Sequence, residues 1–227
     1  MRAESQHRAY VAALQNAEWE VIALPEEPEL PDSVFVEDTA IVLDGLAIIT
    51  RPGAAPRRPE TKSVREALAR LLPVVSISDS AQLDGGDVLV VGKKIFVGLS
   101  SRSTRSAAAE LADLSKPQGY AVEAVAVEAC LHLKSAVTAI DNLTLLINSR
   151  WIAPELFGDY NLIEVHPDEP EGANCVDLGS RILHGAAYPK TRQRIEAAGF
   201  AVEAIPLDEL AKAEGAATCC SLLIPEV

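Results

Sequence analysis

The feature that most limits the fold of this chain is a repeated word. A β-hairpin, a helix and a further strand recur four times, at a spacing of roughly 45 residues. The first copy sets strands over 39–43 and 46–50 on either side of Asp44-Gly45, then a helix over 60–72 and a strand over 74–78. The second turns at Gly92-Lys93 between strands over 87–91 and 95–99, followed by a helix over 103–114 and a strand over 121–127. In the third, strands over 133–140 and 143–148 flank Asp141-Asn142, and a short helical segment leads to a strand over 162–165. The fourth pairs 175–178 with 182–184 around Gly179-Ser180 and continues in a helix over 191–198 and a strand over 201–206. Ahead of the repeats lie an amphipathic helix over 3–16, with Tyr10, Val11 and Leu14 on one face, and strands over 19–24 and 33–36. A last strand over 219–224 closes the chain.

A period of this length suits an open solenoid or a closed α/β propeller whose hairpins face one axis. Closure is preferred, because it gathers the polar residues that open successive hairpins: Glu37-Asp38, Asp84, His132 and Cys219. No stretch is rich enough in Gly, Ser or Pro to act as a linker, so a single α/β-propeller domain is expected over 1–227. With 48% hydrophobic and 23% charged residues the chain has a globular composition. A net charge of −13 argues against a nucleic-acid partner, since phosphate backbones select basic surfaces. Lacking an apolar run of signal or membrane-spanning length, the chain is expected in the cytoplasm with no membrane partner. The four cysteines fit neither a disulfide framework nor the spacing of a zinc site.

Taken together, the residues at the repeat starts describe one chemistry. Asp32, Glu37 and Asp38 crowd the stretch L-P-D-S-V-F-V-E-D, a cluster that is otherwise only a set of solvated acids capping a strand. Cys219 attacks only as a thiolate and needs a positive neighbour; otherwise it is a small core residue. His132 is the one histidine that opens a repeat and the best general acid or base, its alternative being a satisfied structural histidine. Asp84 precedes Gly85-Gly86, where the backbone can approach closely, though an Asp before glycines also serves as a simple cap. Arg57 and Arg102 offer forks for a carboxylate, unless they are merely solvated. Acids for a cation, arginines for a carboxylate and a Cys/His pair fit an amino acid with a guanidinium side chain, attacked at its central carbon.

The words L-P-D-S-V-F-V-E-D-T-A, I-T-R-P-G-A-A-P-R-R, L-D-G-G-D-V-L, F-V-G-L-S-S-R-S, L-H-L-K-S and T-C-C-S-L-L-I carry a resemblance to the dimethylarginine dimethylaminohydrolases. This family belongs to the guanidino-modifying superfamily of five-bladed α/β propellers, and the resemblance runs across Arg2–Ile224. It implies Cys219 as nucleophile, His132 as general base and Asp84 as the acid assisting it. It further implies Glu37 and Asp38 on the guanidinium, Asp32 on the α-amino group, and Arg57 with Arg102 on the α-carboxylate. Neither an organic cofactor nor a catalytic metal is implied. Family chains start with a further strand and a mobile covering loop, and here Met1 falls near the start of the following helix. The first strand and lid are therefore expected to be missing, leaving a fifth-blade edge that is open or covered in a homodimer. The expected reaction converts an Nω-methylated arginine to citrulline plus an amine. An arginine-deiminase-like or amidinotransferase-like activity, and a vestigial propeller that only binds guanidino ligands, stand as alternatives.

Overall fold

A computed structural model describes residues 2–225. Helix α1 (Arg2–Asn16) buries Gln6, Tyr10, Ala13 and Leu14, the stripe that a 3.6-residue period places on one side. No strand forms over 19–24. The segment has no ladder partner, and Trp19 instead donates its indole N–H to the Leu178 carbonyl at 3.2 Å. The expected strand over 33–36 is also absent. Turns lead into a 3₁₀ turn over Val36–Thr39, which buries Glu37, Asp38 and Thr39.

From there the repeated word unfolds as read. Strand β1 (Ala40–Leu43) pairs antiparallel with β2 (Leu46–Ile49) across Asp44-Gly45, where Gly45 takes φ +68°. A 3₁₀ turn (Ala55–Glu60) and helix α2 (Thr61–Leu68) then return the chain to β3 (Val74–Ser76), parallel to β2. The helix stops short of 72, and turns over 69–71 carry the chain on to Pro73. In the second copy β4 (Val88–Val91) and β5 (Lys94–Leu99) form the hairpin, and α3 (Arg105–Ser115) crosses to β6 (Ala121–Ala126). Thr104 caps α3, its hydroxyl accepting from the Ala107 amide at 3.3 Å.

The third copy opens on a single helical turn, α4 (Leu133–Ala136), where strand was expected. It continues through β7 (Val137–Ala139), β8 (Thr144–Ile147) and β9 (Asn161–Glu164), with a 3₁₀ turn over Pro154–Phe157 in place of the helix. The fourth copy comprises β10 (Cys175–Asp177), β11 (Ile182–Gly185), α5 (Pro189–Ala197) and β12 (Val202–Ile205). A short α6 (Asp208–Ala211) and a 3₁₀ turn (Thr218–Cys220) follow, and no strand forms over 221–225. Cys219 therefore sits on a turn, not at the mouth of a strand.

The chain divides into two compact units. One contains residues 24–133 with the segment from 219 onward, and the other contains 1–23 with 134–218. In the first unit Ile48, Leu83, Ile95, Val97 and Leu111 share one cluster. On the other face of the first sheet, Ala47 and Ile49 pack with Val64 and Leu68 of α2 and with Leu222 and Ile224. Strand β2 is thus buried on both faces, which is why it reads as an unbroken apolar run rather than as an alternation. The second unit builds its own cluster from Ile140, Leu146, Cys175, Ile182 and Ile195. No helix among the described residues is long and apolar enough to cross a membrane. Leu111→Ala, at a fully buried position, is expected to lower unfolding free energy by about 2–5 kcal/mol, measured by urea denaturation.

Candidate active site

All eight residues picked out in the sequence fall within the unit formed by 24–133 and the segment from 219. The 3₁₀ turn over Val36–Thr39 supplies Glu37 and Asp38, 7% and 4% exposed. A second 3₁₀ turn, Gly85–Asp87, begins directly after Asp84, which is fully buried. His132 precedes α4 and is also buried.

His132 and the two aspartates meet closely. The imidazole Nε2 lies 3.0 Å from Asp84 Oδ2, and because a carboxylate only accepts, this nitrogen carries the proton. Asp38 Oδ1 is 4.0 Å from the same nitrogen. Burial opposes a charge on His132, but the Asp84 hydrogen bond and the charges of Asp38, Asp87 and Asp84 outweigh it and raise its pKa. Burial likewise opposes the Asp38 carboxylate. The charge of His132, the Arg57 guanidinium and the Gly86 amide overcome that cost and hold its pKa below the ordinary value. Gly86 N donates to Asp38 Oδ1 at 2.8 Å, and Gly53 N donates to Asp84 Oδ1 at 2.7 Å.

These contacts depend on glycine. A Cβ on Gly86 would stand 2.6 Å from His132 Nδ1 and 2.8 Å from Asp38 Oδ1, and one on Gly85 would overlap the Glu37 carbonyl. The run L-D-G-G-D is therefore a place where side chains press against bare backbone.

Both arginines reach this region in different ways. Arg102 Nη1 lies 3.5 Å from Asp84 Oδ2, with the Arg102 side chain 28% exposed, so it remains open to a ligand. Arg57, expected to clasp a carboxylate, has partners within the protein. Its guanidinium is buried and already engaged: Nη1 donates to Asp38 at 2.5 Å and Nη2 to Glu60 at 2.8 Å, while Nε also points at Glu60. Nη2 further donates to the carbonyls of Phe35 and Asp32 at 3.0 and 3.3 Å. The pairing raises the Arg57 pKa, whereas burial and the charges of Asp32 and Asp38 push Glu60 upward. Its fork aligns Asp38 and the turn that carries it.

Asp32 is half-buried, with its carbonyl turned to Arg57. The Cys219-Cys220 turn lies beside Glu37, whose charge, after burial, helps push the Cys220 thiol up to about 12. Burial also lifts Cys130 to about 11 and Cys175 to about 12. Cys219, half-buried on its turn, stands as the candidate nucleophile on its place in the T-C-C-S-L-L-I motif. Asp38, Asp84 and His132 each bring one ligand-type atom to within 4.8 Å of the others. Arg57 takes one oxygen of Asp38 and His132 is drawn towards its protonated form, so we read the cluster as an acid–base group. Sequence reasoning missed Glu60, Gly53, Asp87, Ser100 and Ser103; only Asp87 carried a signal, as an acid wedged between Gly-Gly and the strand V-L-V-V.

Gly86→Ala is expected to cut turnover by about 100-fold or more by displacing His132 or Asp38, with an unchanged circular-dichroism spectrum. The raised His132 pKa contributes stability that is complete below about 6.5, the unfolded value, and is lost as pH rises through the folded value. Urea titrations should therefore show the stability advantage of the wild type over His132→Gln shrinking as pH rises above about 6.5 and through the raised folded value. Asp38 has the opposite sign, its contribution disappearing as pH falls through its depressed value.

The sequence profile described as N,N dimethylarginine dimethylhydrolase, eukaryotic, matches residues 1–154. An N(G),N(G)-dimethylarginine dimethylaminohydrolase from Streptomyces coelicolor is 40% identical over 222 residues, 96% of this chain and 84% of that protein. Its counterpart from Pseudomonas aeruginosa is 34% identical over 223 residues, 97% of this chain and 88% of that one. A solved structure of the Pseudomonas aeruginosa enzyme, a mutant complexed with citrulline, superposes with a TM-score of 0.94, covering 97% of this chain and 88% of that one. The repeated hairpin–helix–strand blades and this likeness give the α/β-propeller class anticipated from the sequence. With its buried acid–base cluster and this extent of likeness, the chain belongs to the dimethylarginine dimethylaminohydrolase family of amidine hydrolases.

Proposed function

We propose that this chain hydrolyses an Nω-methylated arginine to citrulline and methylamine or dimethylamine, with Cys219 as nucleophile. The observation that carries the reading is the buried His132–Asp84 pair, 3.0 Å apart, with Asp38 fixed beside it. Asp38 and Glu37 receive the planar guanidinium through paired hydrogen bonds and keep it charged, which makes its carbon electrophilic. Asp32 takes the α-amino group, and Arg102 takes the α-carboxylate. Arg57 serves the same pocket from behind, by aligning Asp38.

The Cys219 thiolate attacks the guanidinium carbon and a C–S bond forms. Protonated His132 gives its proton to the departing amine as the C–N bond breaks, leaving a thiouronium on Cys219. Neutral His132 then takes a proton from water as the oxygen adds to that carbon. The C–S bond breaks, the thiolate returns, and the ureido product loses its remaining proton to solvent. Asp84 steadies the imidazole in the tautomer both half-reactions need, and Asp38 favours its charged form.

Incubation with asymmetric dimethylarginine should yield a ureido product and dimethylamine, and Cys219→Ser should reduce turnover by about 10⁴-fold or more. A 2-haloacetamidine should add mass at Cys219 in the wild type and in Cys220→Ser, but not in Cys219→Ser. Ureido product from unmethylated arginine alone would transfer the activity to the deiminase class. Stoichiometric binding with no adduct would point to a propeller that only binds.

A further inference from the structure

Asp87 is fully buried and has no part in the chemistry assigned above. We propose that Asp87 is a positioning residue that fixes His132, Asp84 and Arg102 together, through one backbone amide and two serine hydroxyls. Its Oδ1 accepts from the amide of Leu133, the residue after His132, at 2.9 Å. Its Oδ2 accepts from Ser100 Oγ at 2.5 Å and from Ser103 Oγ at 2.6 Å. A hydroxyl has a single proton, so both serines are then left with lone pairs to offer. Ser103 Oγ accepts from the Asp84 amide at 3.1 Å, and Ser100 Oγ accepts from the Arg102 amide at 2.9 Å. The acidic oxygen thus dictates which way both hydroxyls point, and they in turn hold the backbone of the two residues that bracket His132 and the ligand carboxylate.

The surroundings are shaped to admit this carboxylate. A Cβ on Gly98 would lie 2.8 Å from Asp87 Oδ1 and 2.8 Å from Leu133 Cβ, so β5 gives way at that point. Burial raises the Asp87 pKa, against the charge of His132 and the donors Ser100, Ser103 and Leu133. A buried carboxylate costs stability that an apolar side chain would not, which argues for a role beyond packing. His132 is faced by Asp84 and Asp38, with Asp87 adding a further negative charge. Arg102 and Arg57 in turn pair with Asp84 and Asp38, and the Cys130 thiol donates to the His132 carbonyl.

The two serines give the hub two separable arms, a division that rests on the roles proposed above for Arg102 and the His132–Asp84 pair. The experiment combines histidine NMR titration of the wild type and Asp87→Asn with steady-state kinetics of Ser100→Ala and Ser103→Ala on dimethylarginine. Loss of the Asp87 charge should lower the His132 pKa. Ser103→Ala should reduce kcat about tenfold with KM little changed, and Ser100→Ala should raise KM about tenfold with kcat little changed. An unmoved His132 pKa in folded Asp87→Asn would overturn the proposal, as would serine variants that alter kcat and KM alike. If Asp87→Asn does not fold, the serine variants decide alone, because they leave the carboxylate in place. Absence of turnover by the wild type would refute the function proposed above, while the His132 titration would still decide the role of Asp87.

Discussion

A charge withdrawn from water survives only where opposite charge or hydrogen-bond donors replace the lost solvation. The unit that carries the site is arranged around this constraint. Asp38, Asp84, Asp87 and Glu60 are all buried, and each is met by opposite charge or by hydrogen-bond donors. Arg57 binds Asp38 and Glu60; Gly53, His132 and Arg102 meet Asp84; two hydroxyls and an amide meet Asp87. Because the partners differ, so do the proton affinities. Asp38 is held ionised by cations, and His132 is pulled towards its charged form by the surrounding acids.

Close contact between these groups requires the chain itself to come near, and glycine permits it. Gly85 and Gly86 let the turn after Asp84 press against Glu37, Asp38 and His132, while Gly53 meets the Arg102 backbone. The stiff parts lie on either side. Strands β2 and β5 are almost wholly buried, so the turns at their ends are anchored in packed sheets. Function is thereby placed on short turns whose freedom has already been removed by the sheets that flank them.

The repeated blades were legible because local signals agreed. Apolar runs marked the strands, and glycines able to take positive φ marked Asp44-Gly45, Gly92-Lys93 and Gly179-Ser180. Where the structure departs from the sequence reading, longer-range partners decide. The segment V-F-V has the composition of a strand, yet the carbonyls of Asp32 and Phe35 are claimed by Arg57 and the chain turns instead. Leu222 and Ile224 pack on the first sheet as side chains without joining a ladder, so their apolar spelling misled. Within the site, His132 and Asp84 could be singled out because they open repeats. Arg57 could not be placed from its neighbours, since a guanidinium fork suits an internal carboxylate as well as a substrate's. Ser100 and Ser103 carried no signal of their role, for nothing local reveals that a buried carboxylate waits for their protons.

The depth of the Arg57 network bears on how the protein responds to its medium. Mobile ions screen exposed charges over a Debye length of about 8 Å at physiological ionic strength, but they do not enter a packed interior. The field that Arg57, Asp38 and Glu60 impose on the pocket is therefore insulated from salt. The net charge of −13, spread over the chain, is not. Added salt should weaken the long-range pull on a cationic ligand during its approach, yet leave the electrostatics that orient it after arrival almost untouched.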